Sequence, residues 1–111
     1  MTTEAELADP IMTFEALGPG RWRLDADPKW CNPGGGLWGG YDIGVAIGVL
    51  KQEPTAAGEA LSLTLTYASA LPSGQVDIRT RRLRQGGSIG VWEVELLGAG
   101  SDQVAVHGMV T

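Results

Sequence analysis

Residues 37–52 form the one stretch of the chain suited to a long regular helix, and this stretch is unusually rich in glycine. Residues 30–52 hold seven of the 17 glycines in the 111-residue chain. Each glycine inside a helix costs about 1 kcal/mol relative to alanine. Pro54 ends the apolar pattern. We therefore predict a single helix from Leu37 to Gln52 that depends on close packing for its stability.

The helical glycines share one side of this segment. Gly40, Gly44 and Gly48 lie on a single stripe, where the lack of side chains would let another backbone approach closely. A second interpretation places part of the segment in a loop, with the helix beginning near Asp42 as its N-cap. Residues 34–36 are loop in both interpretations. The regular spacing favours close packing at Gly44 and Gly48.

Asp42 is an acidic residue on the apolar side of the predicted helix, in line with Val45, Ala46 and Val49. A carboxylate at this point could cap the helix and use its N-terminal dipole. Alternatively, it could be partly desolvated with a raised pKa, which is the condition that a general base requires. Residue type alone favours capping, and both interpretations stay open.

The remainder of the chain has the pattern of an antiparallel sheet. Residues 13–17 and 21–26 are strand-like and are joined by a Gly-Pro-Gly turn, which predicts a hairpin. Alternating apolar and polar residues from Leu61 to Tyr67 predict a strand with one buried face. The same alternation predicts further strands over 75–84, 89–97 and 103–110. We therefore predict an α+β fold in which a curved antiparallel sheet surrounds one long helix and the last four strands form a meander.

Composition and charge narrow the classes of function. A chain with 43% hydrophobic and 19% charged residues is typical of a single globular domain, here 1–111 with a flexible tail over 1–11. A net charge of -5 argues against nucleic-acid binding. The lone Cys31 cannot form an internal disulfide, which indicates a reducing compartment. The acidic N-terminus is unlike a secretory signal and the apolar runs are too short for a bilayer, so we expect a cytoplasmic protein without membrane contact.

Several short motifs occur in a fixed order along the chain. They are Gly39-Gly40 at the helix start, P-x-G at 72–74, L-R-x-G-x-S at 83–88 and V-A at 104–105. In this order and spacing the chain from Phe14 to Val110 resembles the N-terminal half of the thioesterase-like superfamily, the double-hotdog acyl-CoA thioesterases. The resemblance implies a hotdog fold with one long central helix wrapped by about five to six antiparallel strands.

The resemblance also implies an activity and an assembly. Hotdog units normally pair edge to edge, which implies a homodimer, or a partner hotdog from another chain, that hydrolyses an acyl thioester at the interface. The alternatives are a non-catalytic half that binds acyl-CoA or serves a structural role beside a catalytic partner, and a fragment of a longer double-hotdog enzyme. No cofactor is implied apart from the coenzyme A of the substrate, and no metal.

The family's catalytic half uses an Asp on the helix, a Ser or Thr on the next strand and a Gln on the last strand to activate a water molecule. Carried over to this chain, the catalytic candidates are Asp42 with Ser62 or Thr64. The Gln is not matched, because Gln103 lies too early on the last predicted strand, and the half that this chain resembles usually lacks the catalytic set. The lone His107 is more often structural than a base.

The substrate contacts follow from the same resemblance. The expected substrate-binding residues are Trp38, Gly39, Gly40, Tyr41, Arg84 and Ser88. Arginines crowd the segment 79–84, where guanidinium groups could bind the phosphates of coenzyme A. An exposed edge strand that carries charge against aggregation explains the same arginines equally well.

Overall fold

The computed structural model of the protein describes residues 12–33, 35–53, 56, 62–85 and 89–111. The predicted tail over 1–11, and the positions of Gly34, Leu61 and Ser88, lie outside these residues. The regular elements in chain order are β1 (Phe14–Gly18), β2 (Arg21–Ala26), a short 3₁₀ turn (Pro28–Trp30), α1 (Gly39–Gln52), β3 (Leu63–Tyr67), β4 (Gly74–Gln85), β5 (Gly90–Gly98) and β6 (Val106–Val110).

The strands form one six-stranded antiparallel sheet in the order β1-β2-β4-β5-β6-β3. The predicted layout of one helix with antiparallel strands is confirmed. The predicted four-strand meander is wrong at β3, which pairs with β6 at the far edge and not with β4. β3 does not pair with β4, because β4 already has β2 and β5 as its neighbours. The segment between Tyr67 and Gly74 is therefore a crossover between distant strands of the sheet, and the buried Leu71 anchors it.

The core lies between α1 and one face of the sheet. Alternate residues of the central strands are fully buried there, and the helix contributes its own apolar side. Burial of a Val or Leu side chain stabilises the fold by about 1.5–3 kcal/mol. The main contributors are Val45, Val49, Val76, Ile78, Val94, Leu96 and Val106. None of the helices in the described residues is both long enough and apolar enough to cross a bilayer.

The glycine stripe of α1 packs against the segment that leads into β1. A Cβ atom at Gly44 would lie 2.9 Å from Cε of Met12, and one at Gly48 would lie 3.2 Å from the ring of Phe14. The predicted close packing at these two glycines is therefore confirmed. Its partners are side chains and not a backbone, because β1 turns Phe14 toward the helix.

Backbone hydrogen bonds fix the start of α1. The N–H of Trp38 donates to the carbonyl of Trp30 at 2.7 Å, and Cys31 and Leu37 form an antiparallel bridge beside them. The N–H of Leu37 also donates to the carbonyl of Leu71 at 2.7 Å. The loop before the helix is thus closed at its base, which we call the Trp30–Trp38 neck, and the neck places the first helical residues.

Candidate active site

Asp42 lies in the first turn of α1 and is almost completely buried. Its side chain is 2% exposed, and Oδ1 has no hydrogen-bond partner among the described residues. The helix begins at Gly39, with Trp38 at the N-cap position, and the N–H of Asp42 already donates to the carbonyl of Trp38. The favoured capping interpretation is therefore wrong, because the neck starts the helix before Asp42. The alternative of a desolvated carboxylate is correct.

Burial determines the protonation of this carboxyl group. Removal from water disfavours the charged form and raises the pKa of Asp42 from its ordinary value of 3.8 to about 7. The neighbouring Tyr41 is also buried, and its burial, together with the charge of Asp42, raises its pKa to about 12. A carboxyl group with a pKa near neutrality can accept a proton in one step of a reaction and return it in the next.

The first two backbone amides of the helix differ from the two that follow them in their hydrogen bonds. The N–H groups of Tyr41 and Asp42 donate to the carbonyl of Trp38, whereas those of Gly39 and Gly40 form no hydrogen bond within the described part of the chain. They carry the positive end of the helix dipole. Such a pair can stabilise an oxygen on which negative charge develops.

Four aromatic side chains lie at or near the start of the helix, namely Trp30, Trp38, Tyr41 and Tyr67. Trp38 is 55% exposed and its ring covers Gly40, where an added Cβ atom would clash with the ring. The ring of Tyr41 stacks on that of Trp30, with centroids 5.6 Å apart. The hydroxyl group of Tyr67, at the end of β3, donates a hydrogen bond to the carbonyl of Gly39 at 3.1 Å. Aromatic side chains thus cluster at the first turn of α1, which carries Asp42.

Five of the predicted site residues are brought together by this arrangement, and all five are consecutive. They are Trp38, Gly39, Gly40, Tyr41 and Asp42. Tyr67 was not among the predicted site residues, because the alternation from Leu61 to Tyr67 predicts that it is one more buried residue of a strand. One feature of the sequence could have indicated its role. Tyr67 carries a hydroxyl group at the last position of a strand face that leucines otherwise occupy.

The hydroxyl candidates lie elsewhere within a single chain. Thr64 is exposed and faces away from α1, since Leu63 and Leu65 on either side pack toward the core. It is also about 10 Å along β3 from Tyr67, at roughly 3.4 Å per residue. Ser62 precedes β3 and is exposed. Their catalytic role stays a prediction that requires a second copy of the chain.

The remaining candidates lie on or beside other strands of the sheet. Arg84 is exposed near the far end of β4, where it pairs with Val91. Gln103 lies in a turn before β6, so the last strand is shorter than predicted. His107 faces the opposite side of the sheet from α1, and its Nε2 lies 2.9 Å from Oε2 of Glu93, as expected for a structural histidine.

The arginines of β4 have two different environments. Arg79 lies between β2 and β5, where it forms an ion pair with Glu95 at 3.2 Å, and the edge-strand explanation is therefore wrong for this residue. Arg81 forms a similar ion pair with Glu93 at 3.0 Å. Beyond Thr80 the strand no longer pairs with β2, so Arg82 and Arg84 do lie on a strand with one open side.

The sequence matches a known protein family over most of its length. Residues 26–111 match the model of the acyl-CoA thioesterase N-terminal domain, and the chain belongs to this family. No curated protein matches the chain.

Solved structures establish the fold. A hotdog-fold protein from Alicyclobacillus acidocaldarius is 16% identical over 88% of this chain and 36% of its own, with a TM-score of 0.79. A putative thioesterase II from Thermobifida fusca is 22% identical over 92% of this chain, with a TM-score of 0.78, and the match spans 37% of that protein. A thioesterase from Haemophilus influenzae is 16% identical over 96% of this chain and 80% of its own, with a TM-score of 0.78. The fold is therefore the predicted hotdog fold.

Proposed function

We propose that the protein hydrolyses an acyl thioester such as acyl-CoA, with the thioester carbonyl bound at the start of α1. The observation that carries this proposal is the buried carboxyl group of Asp42 in the same helical turn as the amides of Gly39 and Gly40, which have no acceptor among the described residues. Membership of the acyl-CoA thioesterase N-terminal domain family supports a thioester as the substrate. The coenzyme A portion enters as part of this substrate.

Each group has a defined task in the reaction. The carboxylate of Asp42 orients a water molecule and accepts its proton as the water oxygen attacks the thioester carbon. The N–H groups of Gly39 and Gly40 donate to the oxyanion that forms on the carbonyl oxygen. As the intermediate collapses, the C–S bond breaks and Asp42 returns the proton to the departing sulfur. The products are a carboxylic acid and a free thiol.

We further propose that two copies of the chain complete the site by pairing along β3. In the described sheet β3 has a strand on one side alone, and exposed apolar side chains of Trp38, Ile43 and Tyr67 lie on the elements beside its open edge. Open edges and exposed apolar surface both favour association. A two-fold axis would bring the partner strand alongside in the antiparallel sense. Ser62, just before β3, would then lie near the helix start of the second copy.

The absence of a disulfide is consistent with a cytoplasmic enzyme. Cys31 is the sole cysteine of the chain and is a free thiol. Proteins with structural thiols of this kind are typical of reducing compartments. We therefore place the proposed reaction in the cytoplasm.

A second function, a non-catalytic half that binds acyl-CoA or serves a structural role, is favoured by one observation. Within the described residues of a single chain, neither Ser62, Thr64 nor Gln103 lies beside Asp42. The chain also spans 37% of the length of the Thermobifida protein, whose remainder could hold a catalytic partner unit. A binding half would bind acyl-CoA without the complete catalytic set.

Hydrolysis of a panel of acyl-CoA thioesters by three proteins separates these functions. The wild type and the control Asp102→Asn, an exposed turn residue, should hydrolyse at least one thioester at equal rates. Asp42→Asn keeps the shape of the side chain and should lower kcat about 10²- to 10⁴-fold, the usual contribution of a general base. Full activity of Asp42→Asn would refute the role of Asp42. A wild type that binds acyl-CoA in calorimetry and hydrolyses none would establish the binding function.

A further inference from the structure

Tyr67 is linked to one of the two free amides through a single peptide group. Its hydroxyl donates to the carbonyl of Gly39 at 3.1 Å. That carbonyl belongs to the peptide that joins Gly39 to Gly40, and the N–H of the same peptide is the free donor of Gly40. The hydroxyl and the free N–H are therefore the two ends of one planar unit.

On the basis of the proposed thioesterase function, we propose that Tyr67 is a positioning residue. By holding the carbonyl of Gly39, it orients the N–H of Gly40 toward the thioester oxyanion and makes it a stronger donor. Tyr67 does not touch the reacting atoms in this role. It acts through the peptide between Gly39 and Gly40, whose N–H contacts the oxyanion.

The physical basis is the rigidity and polarisability of the amide group. A peptide is planar, so a hydrogen bond that fixes its oxygen also fixes the direction of its N–H. A donor on the carbonyl polarises the amide and strengthens the hydrogen bond of its N–H by about 10–30%. A peptide between two glycines is restrained less by its own side chains than any other. An external anchor such as Tyr67 therefore has a larger effect at this position.

The local shape is consistent with this role. A Cβ atom at residue 39 would lie 3.2 Å from the hydroxyl oxygen of Tyr67, which is tighter than an ordinary contact. Glycine at this position leaves space for the hydroxyl to reach the carbonyl. Burial and the charge of Asp42 both raise the pKa of Tyr67, so its hydroxyl keeps the proton that it donates.

The kinetic test compares two substitutions that each remove a hydroxyl from neighbouring positions of β3. Tyr67→Phe should lower kcat about 3- to 30-fold, less than the 10²- to 10³-fold loss when an oxyanion donor is removed outright. KM should stay within about twofold, because the oxyanion exists in the transition state and not in the bound substrate. The control Thr66→Val, on the outer face, should match the wild type. An unchanged kcat, or a raised KM with unchanged kcat, would overturn the proposal.

The second measurement needs no activity. In amide NMR spectra, the nitrogen and proton resonances of Gly40 should move in Tyr67→Phe and stay in place in Thr66→Val. Tyr67→Leu also lacks the hydroxyl, so it should move them as well and replaces Tyr67→Phe if that variant fails to fold. A Gly40 resonance that does not move would overturn the proposal even with a lowered kcat. A wild type without thioesterase activity would instead refute the proposed function.

Discussion

The indole N–H of Trp22 donates to the carboxylate of Glu53 at 2.7 Å, which joins β2 to the residue that follows the last turn of α1. The same carboxylate accepts a hydrogen bond from the hydroxyl of Thr80 on β4. One side chain thus connects the helix to two strands. The neck holds the other end of the helix, so α1 is fixed to the sheet at both ends.

Replacement of Glu53 should measure the strength of this connection. Glu53→Ala leaves the partly buried donors of Trp22 and Thr80 without their acceptor and should lower the free energy of unfolding by about 2 kcal/mol. Urea denaturation followed by tryptophan fluorescence measures the change. Gln52→Ala, an exposed helical position next to it, should change stability by less than about 0.5 kcal/mol. Equal effects of the two substitutions would show that the contact contributes nothing.

The buried carboxyl group of Asp42 should make stability depend on pH. Its pKa of about 7 in the folded protein lies above the ordinary value of 3.8, so the folded state holds an extra proton between these values. The free energy of unfolding should therefore fall as pH rises from about 4 to 7. Asp42→Asn cannot ionise and should equal the wild type near pH 4 while exceeding it by a few kcal/mol at pH 8.

Urea denaturation of both proteins at pH 4, 6 and 8 checks this prediction. Asp102→Asn serves as the control, because it makes the same chemical change at an exposed position. A difference between Asp42→Asn and the wild type that is constant from pH 4 to pH 8 would contradict the burial argument.

The two packed glycines of α1 should respond differently to alanine. Gly44→Ala places a methyl group against the flexible end of Met12, which can move, and should raise stability by about 0.5–1 kcal/mol through helix propensity. In Gly48→Ala the new methyl group would lie 3.2 Å from the rigid ring of Phe14. The resulting strain should cancel the gain in stability from helix propensity. Thermal denaturation monitored by circular dichroism distinguishes the two variants. A larger gain at Gly48 than at Gly44 would contradict the difference in flexibility.

Ile43 offers a test of the proposed pairing along β3. Its side chain is 42% exposed on α1, one turn beyond Gly39. Ile43→Lys should convert a dimer into monomers in light scattering, with little loss of monomer stability. Ile89→Lys is the matched control, since Ile89 is 47% exposed but lies just before β5, far from the β3 edge. Equal masses for both variants and the wild type would argue against this interface.

The elements of the fold follow from local patterns, and their arrangement does not. The predicted helix over 37–52 and strands over 75–84 and 89–97 agree closely with Gly39–Gln52, Gly74–Gln85 and Gly90–Gly98. Periodicity and turn residues are local signals, so they specify element type and buried face. The position of β3 beside β6 depends on contacts between distant segments, and alternation within a strand carries no information about its neighbour.

In the candidate site, too, the residues follow from local patterns and their arrangement does not. The glycines and Asp42 were recognisable from residue type and spacing, but the choice between a cap and a buried acid depended on where the helix starts. That start is set by the contact of Trp30 with Trp38, across a loop that a helical pattern does not describe. Tyr67 was missed for a similar reason, because its bond to Gly39 joins two elements far apart in sequence.

The Trp30–Trp38 neck also has a consequence for how this family can vary. Because the loop between Cys31 and Leu37 is closed at its base, a change in the length of the loop need not move the start of the helix. Doubling the length of a flexible loop costs only about 0.6 kcal/mol in closure entropy. Insertions here would therefore add new surface near the helix start while the amides of Gly39 and Gly40 keep their place.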